Sequence, residues 1–197
     1  SAVDLDLVAF YQNNQNEVGG VFSTNYFGGT HGALDTSPFM QLSGDELESD
    51  GEEASEEELR VTQLDGIQQL YILALNQTDA RQRRASSLSD YDITVKVSTS
   101  RGEVFEVPLN DPREGPIALI CRIDNSNRVV GPQLINEGRV MSIEEFHRDI
   151  PGATALNVDQ KLILQSKESA IIASPPAGIS IHACLKWTTA VDLDLYC

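Results

Sequence analysis

The stretch Ile67 to Leu75, Ile-Gln-Gln-Leu-Tyr-Ile-Leu-Ala-Leu, is the most apolar part of the chain and the one that most limits its fold. A strand of this length with apolar residues at successive positions has no polar face to give to water. It must therefore be covered on both sides, as a central strand is. Asp65-Gly66 sets a turn immediately before it.

The remainder of the chain supplies short strand-like segments separated by turn chemistry. Val3 to Tyr11, Val21 to Phe27, Phe39 to Leu42 and Glu58 to Leu64 precede or flank the apolar stretch. Gln12 to Gly20 reads as a turn and Gly28 to Pro38 as a loop. Tyr91 to Ser98 and Glu103 to Leu109 form one expected hairpin around Thr99 to Gly102. Ile117 to Asp124 and Asn127 to Gln133 form another around Asn125-Ser126. Asn76 to Asp90 reads as a short helix or a loop. Ser142 to Arg148 reads as a helix, with Ser142 as N-cap and Glu145 three residues on completing a capping box. Pro151-Gly152 ends it. Lys161 to Gln165 and Ile179 to Trp187 are again strand-like. Many short strands with one or two short helices predict a mainly β chain, a β-sandwich of antiparallel strands.

The expected domains are 1–152, then a linker over 153–160, then the opening strands of a second unit over 161–197. The second boundary rests on a repeat. Ala2-Val3-Asp4-Leu5-Asp6-Leu7 recurs without change as Ala190-Val191-Asp192-Leu193-Asp194-Leu195, which internal duplication explains. The strand that should precede the first copy is missing, and its counterpart is Ile179 to Trp187. That C-terminal strand is expected to fill the gap, in the same chain or in a neighbour by swapping, because an open slot exposes edge groups.

Charge narrows the function classes. The net charge is −16 over 197 residues, which repels nucleic acid and anionic membrane and attracts cations and basic partners. There is no apolar run of membrane-spanning length. Three cysteines without a CxxC pair predict reduced thiols and a cytoplasmic setting. No phosphate-binding glycine loop or nucleophile elbow occurs, and the three histidines have no zinc spacing, so the chain is expected not to be an enzyme.

Much of the negative charge is local. Between Ser43 and Glu58, nine of sixteen residues are carboxylates and none is Lys or Arg. Carboxylates at that density repel one another, and a divalent ion relieves the repulsion. Calcium takes six to eight oxygen ligands. Asp4 and Asp6, two apart on a strand, point the same way and can face one ion. Asp45, Asp50, Glu52 and Glu53 lie on the loop beside Gly44 and Gly51. The spacing is not that of an EF-hand. The residues alone leave two readings open, a cation site and a solvated acidic loop.

The order of motifs resembles the TerD-type tellurium-resistance, or calcium-binding stress protein, family. The resemblance rests on Asp4-Leu5-Asp6 followed by an aromatic, Phe22 to Tyr26, Ser43-Gly44-Asp45-Glu46 with its acid run, the apolar strand, and Ala80-Arg81 to Arg84. Leu185-Lys186-Trp187 before the second Asp-Leu-Asp extends it. Residues 1 to about 150 cover the family domain. The resemblance implies a calcium-binding (Ca2+) β-sandwich acting without catalysis among the proteins of a stress-response assembly. It implies a ligand set drawn from Asp4, Asp6, Asn25, Asp45, Asp50, Glu52, Glu53, Glu56 and Glu57, with Asp192 and Asp194 as the alternative pair from the second copy. The chain departs from the family in carrying Gly44-Asp45-Glu46 for Gly-Asp-Asn and glutamates for aspartates in the later acidic motif. The partners expected are other proteins, including a strand-swapped second copy, and neither nucleic acid nor a membrane interior.

Overall fold

The computed structural model describes residues 5–43, 57–82, 88, 94–109 and 111–158. The chain divides into two units, Ser1–Lys161 and Leu162–Cys197. The strands expected at 161–165 and 179–187, and with them the second repeat, lie outside the described residues.

The first unit is mainly β and antiparallel. Its principal sheet has five strands in the order β10-β9-β6-β1-β2. These are β1 (Leu5–Asn13), β2 (Val18–Val21), β6 (Ile67–Asn76), β9 (Ile117–Asp124) and β10 (Gln133–Met141). The apolar stretch is β6, at the centre of this sheet as its composition requires. A three-stranded sheet of β3 (Gly32–Ala33), β4 (Met40–Leu42) and β5 (Leu59–Val61) and a hairpin of β7 (Thr94–Ser98) and β8 (Val104–Pro108) complete the strands among the described residues. Helical elements include two short helices, α1 (Gln77–Gln82) and α2 (Ile143–Asp149), and a 3-10 turn at Ala153–Ala155.

Both faces of the five-stranded sheet are covered, which makes the unit a sandwich with a helical cover on its other side. On one face Ala9, Leu70, Ile72, Ala74, Ala118 and Ile120 meet Met40 and Leu42 of the small sheet and Val107 of the hairpin. On the other face Val8, Phe10, Leu73, Leu75 and Leu119 meet Phe22, Phe146, Ile150 and Leu156. Strand alternation sorts β1 between the two, with Val8 and Phe10 to one side and Leu7, Ala9 and Tyr11 to the other. Phe10 is fully buried between Phe22 and Phe146, at ring-centroid separations of 5.8 and 5.5 Å. Burial of one such side chain stabilises the fold by about 1.5–3 kcal/mol.

A bulge modifies the alternation in β9. Ile72 pairs with Cys121 and Leu73 with Leu119, so Ile120 is the extra residue. As a result Ile120 and Cys121 face the same core. The opposing strand carries a register shift at the same level, between Asn136 and Arg139.

Helix α2 begins as expected. The Ser142 hydroxyl accepts from the Glu145 amide and the Glu145 carboxylate accepts from the Ser142 amide. Of the hairpin expected around Thr99 to Gly102, strands Thr94–Ser98 and Val104–Pro108 pair antiparallel.

Three segments depart from expectation. The strand expected over Val21 to Phe27 lies earlier, at Val18–Val21. Gly19 and Gly20 pair with Tyr11 and Phe10, where a Cβ would sit 2.4 Å from the Tyr11 hydroxyl and 2.7 Å from the Phe10 ring. After Phe22 the chain turns instead, through Ser23 to Gly29. The arm expected at Asn127 to Gln133 is also not strand. The Asn127 side chain accepts from the amides of Val129 and Val130 and its carbonyl from that of Gly131, which closes a turn. The strand starts at Gln133 and runs to Met141. Finally, the described part of the expected linker, 153–158, is packed chain. The 3-10 turn brings Ala153 and Leu156 onto one side, and both are buried in the core with Val158. The folded chain of the first unit therefore extends past residue 152.

Candidate functional site

The start of β1 lies beside the end of β6, with Leu5 paired to Asn76 and Asp6 to Leu75. The junction from β6 into α1 is fixed by a side-chain cap. Asn76 is fully buried, its Oδ1 accepts from the Asp79 amide at 3.0 Å, and its Nδ2 donates to Asp79 Oδ2 at 2.7 Å. Its own amide donates to the Pro116 carbonyl at 2.8 Å. The next residue, Gln77, is thereby held against the first strand.

Asp6, Tyr26 and Gln77 form a buried polar group there, with exposures of 5, 6 and 7%. Asp6 shares the face of β1 that carries Val8 and Phe10. A carboxylate placed so deeply needs donors, because desolvation without them costs several kcal/mol. The Tyr26 hydroxyl donates to Asp6 Oδ2. Gln77 Nε2 donates to the same oxygen at 3.2 Å and to the Tyr26 oxygen at 2.8 Å. Each group uses chemistry it has, the phenol as donor and acceptor and the amide as a double donor.

Tyr26 reaches Asp6 because the loop carrying it is tightly wound. The Tyr26 amide donates to the Ser23 carbonyl at 3.1 Å and the Gly29 amide to the Tyr26 carbonyl at 3.0 Å. The Asn25 amide donates to Ser23 Oγ at 3.2 Å. Gly29 packs so closely that a Cβ there would lie 2.0 Å from the Ser23 carbonyl oxygen. The Tyr26 ring meets Phe22 edge-on, at 6.4 Å between centroids.

The acidic stretch joins β4 to β5, which pair through Leu42 and Leu59. Its flanks close on each other. The Ser43 amide donates to the Glu58 carbonyl at 2.7 Å, and the Glu58 amide to Ser43 Oγ at 2.8 Å. One residue before Glu58, the Glu57 carboxylate accepts a hydrogen bond from the backbone amide of Leu7. The described pairing of β2 on β1 begins only at Ala9, so Glu57 serves an amide on the part of β1 beyond its edge partner. Arg60 pairs with Glu58 at 2.9 Å on the exposed surface, where solvent screening leaves an ion pair little effect on stability.

Of the residues expected to bind a cation, Asp6, Asn25 and Glu57 are described. Asp6 and Glu57 come to consecutive positions on β1, the first as a strand residue and the second through the Leu7 amide. Asn25 is exposed on the loop that carries Tyr26. Asp4, Asp45, Asp50, Glu52, Glu53, Glu56, Asp192 and Asp194 lie outside the described residues. Among the described residues no three His, Cys, Asp or Glu side chains group as a metal site. Sequence reasoning missed Gln77 and the buried role of Tyr26. The available signal was the polar pair Asn76-Gln77 directly after an apolar central strand.

The remaining candidates among the described residues have structural roles. Cys121 is fully buried, and burial pushes its thiol up to about 12, so it is a core thiol as expected. His147 Nε2 hydrogen-bonds the Leu156 carbonyl at 3.2 Å, tying α2 to the packed 3-10 segment. Arg122 bridges strands by pairing with Glu137 at 3.0 Å and donating to Gln69 at 2.6 Å. His182, Cys184, Cys197, Arg83 and Arg84 lie outside the described residues. A cavity of about 120 Å³ at the far end of β1, lined by Tyr11, Asn13, Phe39 and Gln63 among others, is distant in strand position from Asp6.

Compared with protein-family models, with curated proteins and with solved structures, the chain has no match.

Proposed function

We propose that this chain is a calcium-binding, non-enzymatic β-sandwich module of the TerD type, acting in the cytoplasm within a stress-response assembly. The observation that carries the proposal is the hydrogen bond from the Leu7 amide to the Glu57 carboxylate. It ties Glu57 of the acidic stretch to β1, which begins at Leu5 within the Asp-Leu-Asp motif. Calcium would bind between that motif and the acids of the stretch, offsetting the repulsion among seven carboxylates between Gly44 and Glu56. The ordered stretch would then present a surface for basic protein partners.

Calorimetric titration of the chain with calcium tests this, alongside Asp6→Ala and Asp45→Ala. The reading expects saturable binding that both substitutions weaken. Absence of binding heat in the unaltered chain would remove it.

A second reading has its own support. Asp6 already receives hydrogen bonds from two neutral donors, and such donors can satisfy a buried carboxylate without a metal. On that reading the module is a structural repeat and the acidic stretch a solvated spacer. Limited proteolysis within 44–56 that is unchanged by calcium would favour it.

A further inference from the structure

We propose that Asp65-Gly66 is a self-modification site, at which the native fold promotes rearrangement of Asp65 to isoaspartate, and that Arg128 assists the step. This chemistry is independent of calcium binding.

The pair occupies the centre of the turn that leads into β6, closed by the Ile67 amide donating to the Leu64 carbonyl at 3.0 Å. Both residues are exposed. Among the described residues the Asp65 carboxyl group has no hydrogen bond or ion pair, and the Gly66 amide donates none. A carboxyl group that is free to swing can be attacked by the peptide nitrogen that follows it in the chain. Glycine puts no side chain beside that nitrogen.

The fold acts on the other end of the same peptide group. The Asp65 carbonyl oxygen accepts from Arg128 Nη2 at 2.6 Å and from Asn14 Nδ2 at 2.9 Å. When the Gly66 nitrogen gives up its proton, amide resonance spreads the negative charge onto this oxygen. A guanidinium and an amide donor already aimed at it stabilise the anion. The donors stand 63 and 51 residues away in sequence, so the folded chain alone places them.

The reaction balances with water alone. The Gly66 nitrogen loses its proton to solvent and bonds to Asp65 Cγ. The Cγ–O bond of the protonated carboxyl group breaks, and the departing hydroxide takes up a proton as water. A second water then opens the succinimide at the main-chain carbonyl of Asp65, breaking its bond to the Gly66 nitrogen. The main chain now runs through Cγ, with mass unchanged and one methylene added to the turn.

The neighbouring Asn125-Ser126 pair shows the opposite arrangement. Asn125 is buried, and its Nδ2 donates to the Leu64 and Ile67 carbonyls at 2.8 and 3.0 Å. The Ser126 amide, whose nitrogen would attack, donates to Asp124 Oδ1 at 2.9 Å. A carboxylate in that place opposes its deprotonation. The same side reaction is therefore promoted at one turn and blocked at the other.

The test is ageing of the full chain at neutral pH, folded and in urea, beside Arg128→Met and Asn14→Ala. Isoaspartate is followed by peptide mapping and by methyl transfer from an isoaspartyl methyltransferase. The expected result is isoaspartate accumulating at Asp65 of the folded chain while Asn125 stays intact. Arg128→Met should slow the folded-state reaction about three- to tenfold, less than the roughly hundredfold of an enclosed donor because water competes at an exposed turn. In urea, where Arg128 has no fixed place beside Asp65, the substitution should leave the rate unchanged. Absence of isoaspartate at Asp65 in the folded chain overturns the proposal. So does a folded-state rate that Arg128→Met does not lower, or one that it lowers equally in urea. Both substituted positions are exposed; should Arg128→Met fail to fold, Asn14→Ala decides on the same terms.

Discussion

The carboxylate of Glu57 accepts a hydrogen bond from the backbone amide of Leu7, fifty residues earlier in the chain. One acid from the end of the acidic stretch is thus built into the edge of the strand that carries Asp6. The bond serves an amide of β1 that lies beyond the described pairing with β2. It has value for the fold whether or not a cation is present.

Glu57→Ala therefore leaves that amide without its acceptor. Hydrogen bonds to charged groups contribute about 1.5–3 kcal/mol, less where water can replace the lost partner. The expected loss is about 1 kcal/mol in urea unfolding without calcium. Glu57→Gln keeps an acceptor oxygen and should lose less than Glu57→Ala.

Gly29→Ala tests the loop that presents Tyr26. The added Cβ would fall 2.0 Å from the Ser23 carbonyl oxygen. That oxygen accepts from the Tyr26 amide, so it cannot move without disturbing the turn. Overpacking of this kind costs about 1–3 kcal/mol. Gly66→Ala, where the added Cβ meets nothing within 4 Å, is the control and should change stability by less than about 1 kcal/mol. Chemical denaturation of the two variants checks the contrast.

The acid limb of stability should depend on Asp124. Its hydroxyl and amide hydrogen bonds from Ser126, joined by Gln69, lower the carboxyl from 3.8 to about 2. A folded-state value below the unfolded one adds stability that is full above pH ~4 and is lost as the pH falls towards ~2. Asp149 is lowered too, chiefly by its hydrogen bond from Arg148, and contributes with the same sign. Asp124→Asn should flatten the decline in stability between pH ~4 and ~2, measured as denaturation midpoints across that range.

Cys121 should resist alkylation in the folded protein. The thiolate is the reactive form, and burial raises the thiol from 9.0 to about 12. Peptide mapping after iodoacetamide treatment at pH 8 is expected to find Cys121 unmodified in the native chain and modified after denaturation. Rapid native labelling would contradict its place in the core.

The parts of the fold that the sequence made legible are those whose signals are local or whose composition permits one environment. Ile67 to Leu75 could only be covered on both faces, and β6 is central. Ser142 and Glu145 lie within hydrogen-bonding reach of each other on any helix that starts there, and their box is present. The failures have non-local causes. Val21 to Phe27 has strand composition, but glycines matched to the rings of Phe10 and Tyr11 place the strand earlier. The 153–158 segment, Ala-Thr-Ala-Leu-Asn-Val, is too short to show a helix or strand period, yet three of its side chains fill the core. The buried Asp6, Tyr26 and Gln77 group was legible only in fragments, the Asp-Leu-Asp motif and the polar Asn76-Gln77 pair, because register and the α1 cap join its members.

Thermal unfolding of the chain in chelator and in millimolar calcium tests the central claim most directly. A ligand present at a hundred times its dissociation constant adds about 2.7 kcal/mol to the folded state. The account therefore predicts a Tm that rises with calcium concentration, and a rise that shrinks in Asp6→Ala. Superimposed unfolding curves for the unaltered chain in chelator and calcium would contradict it.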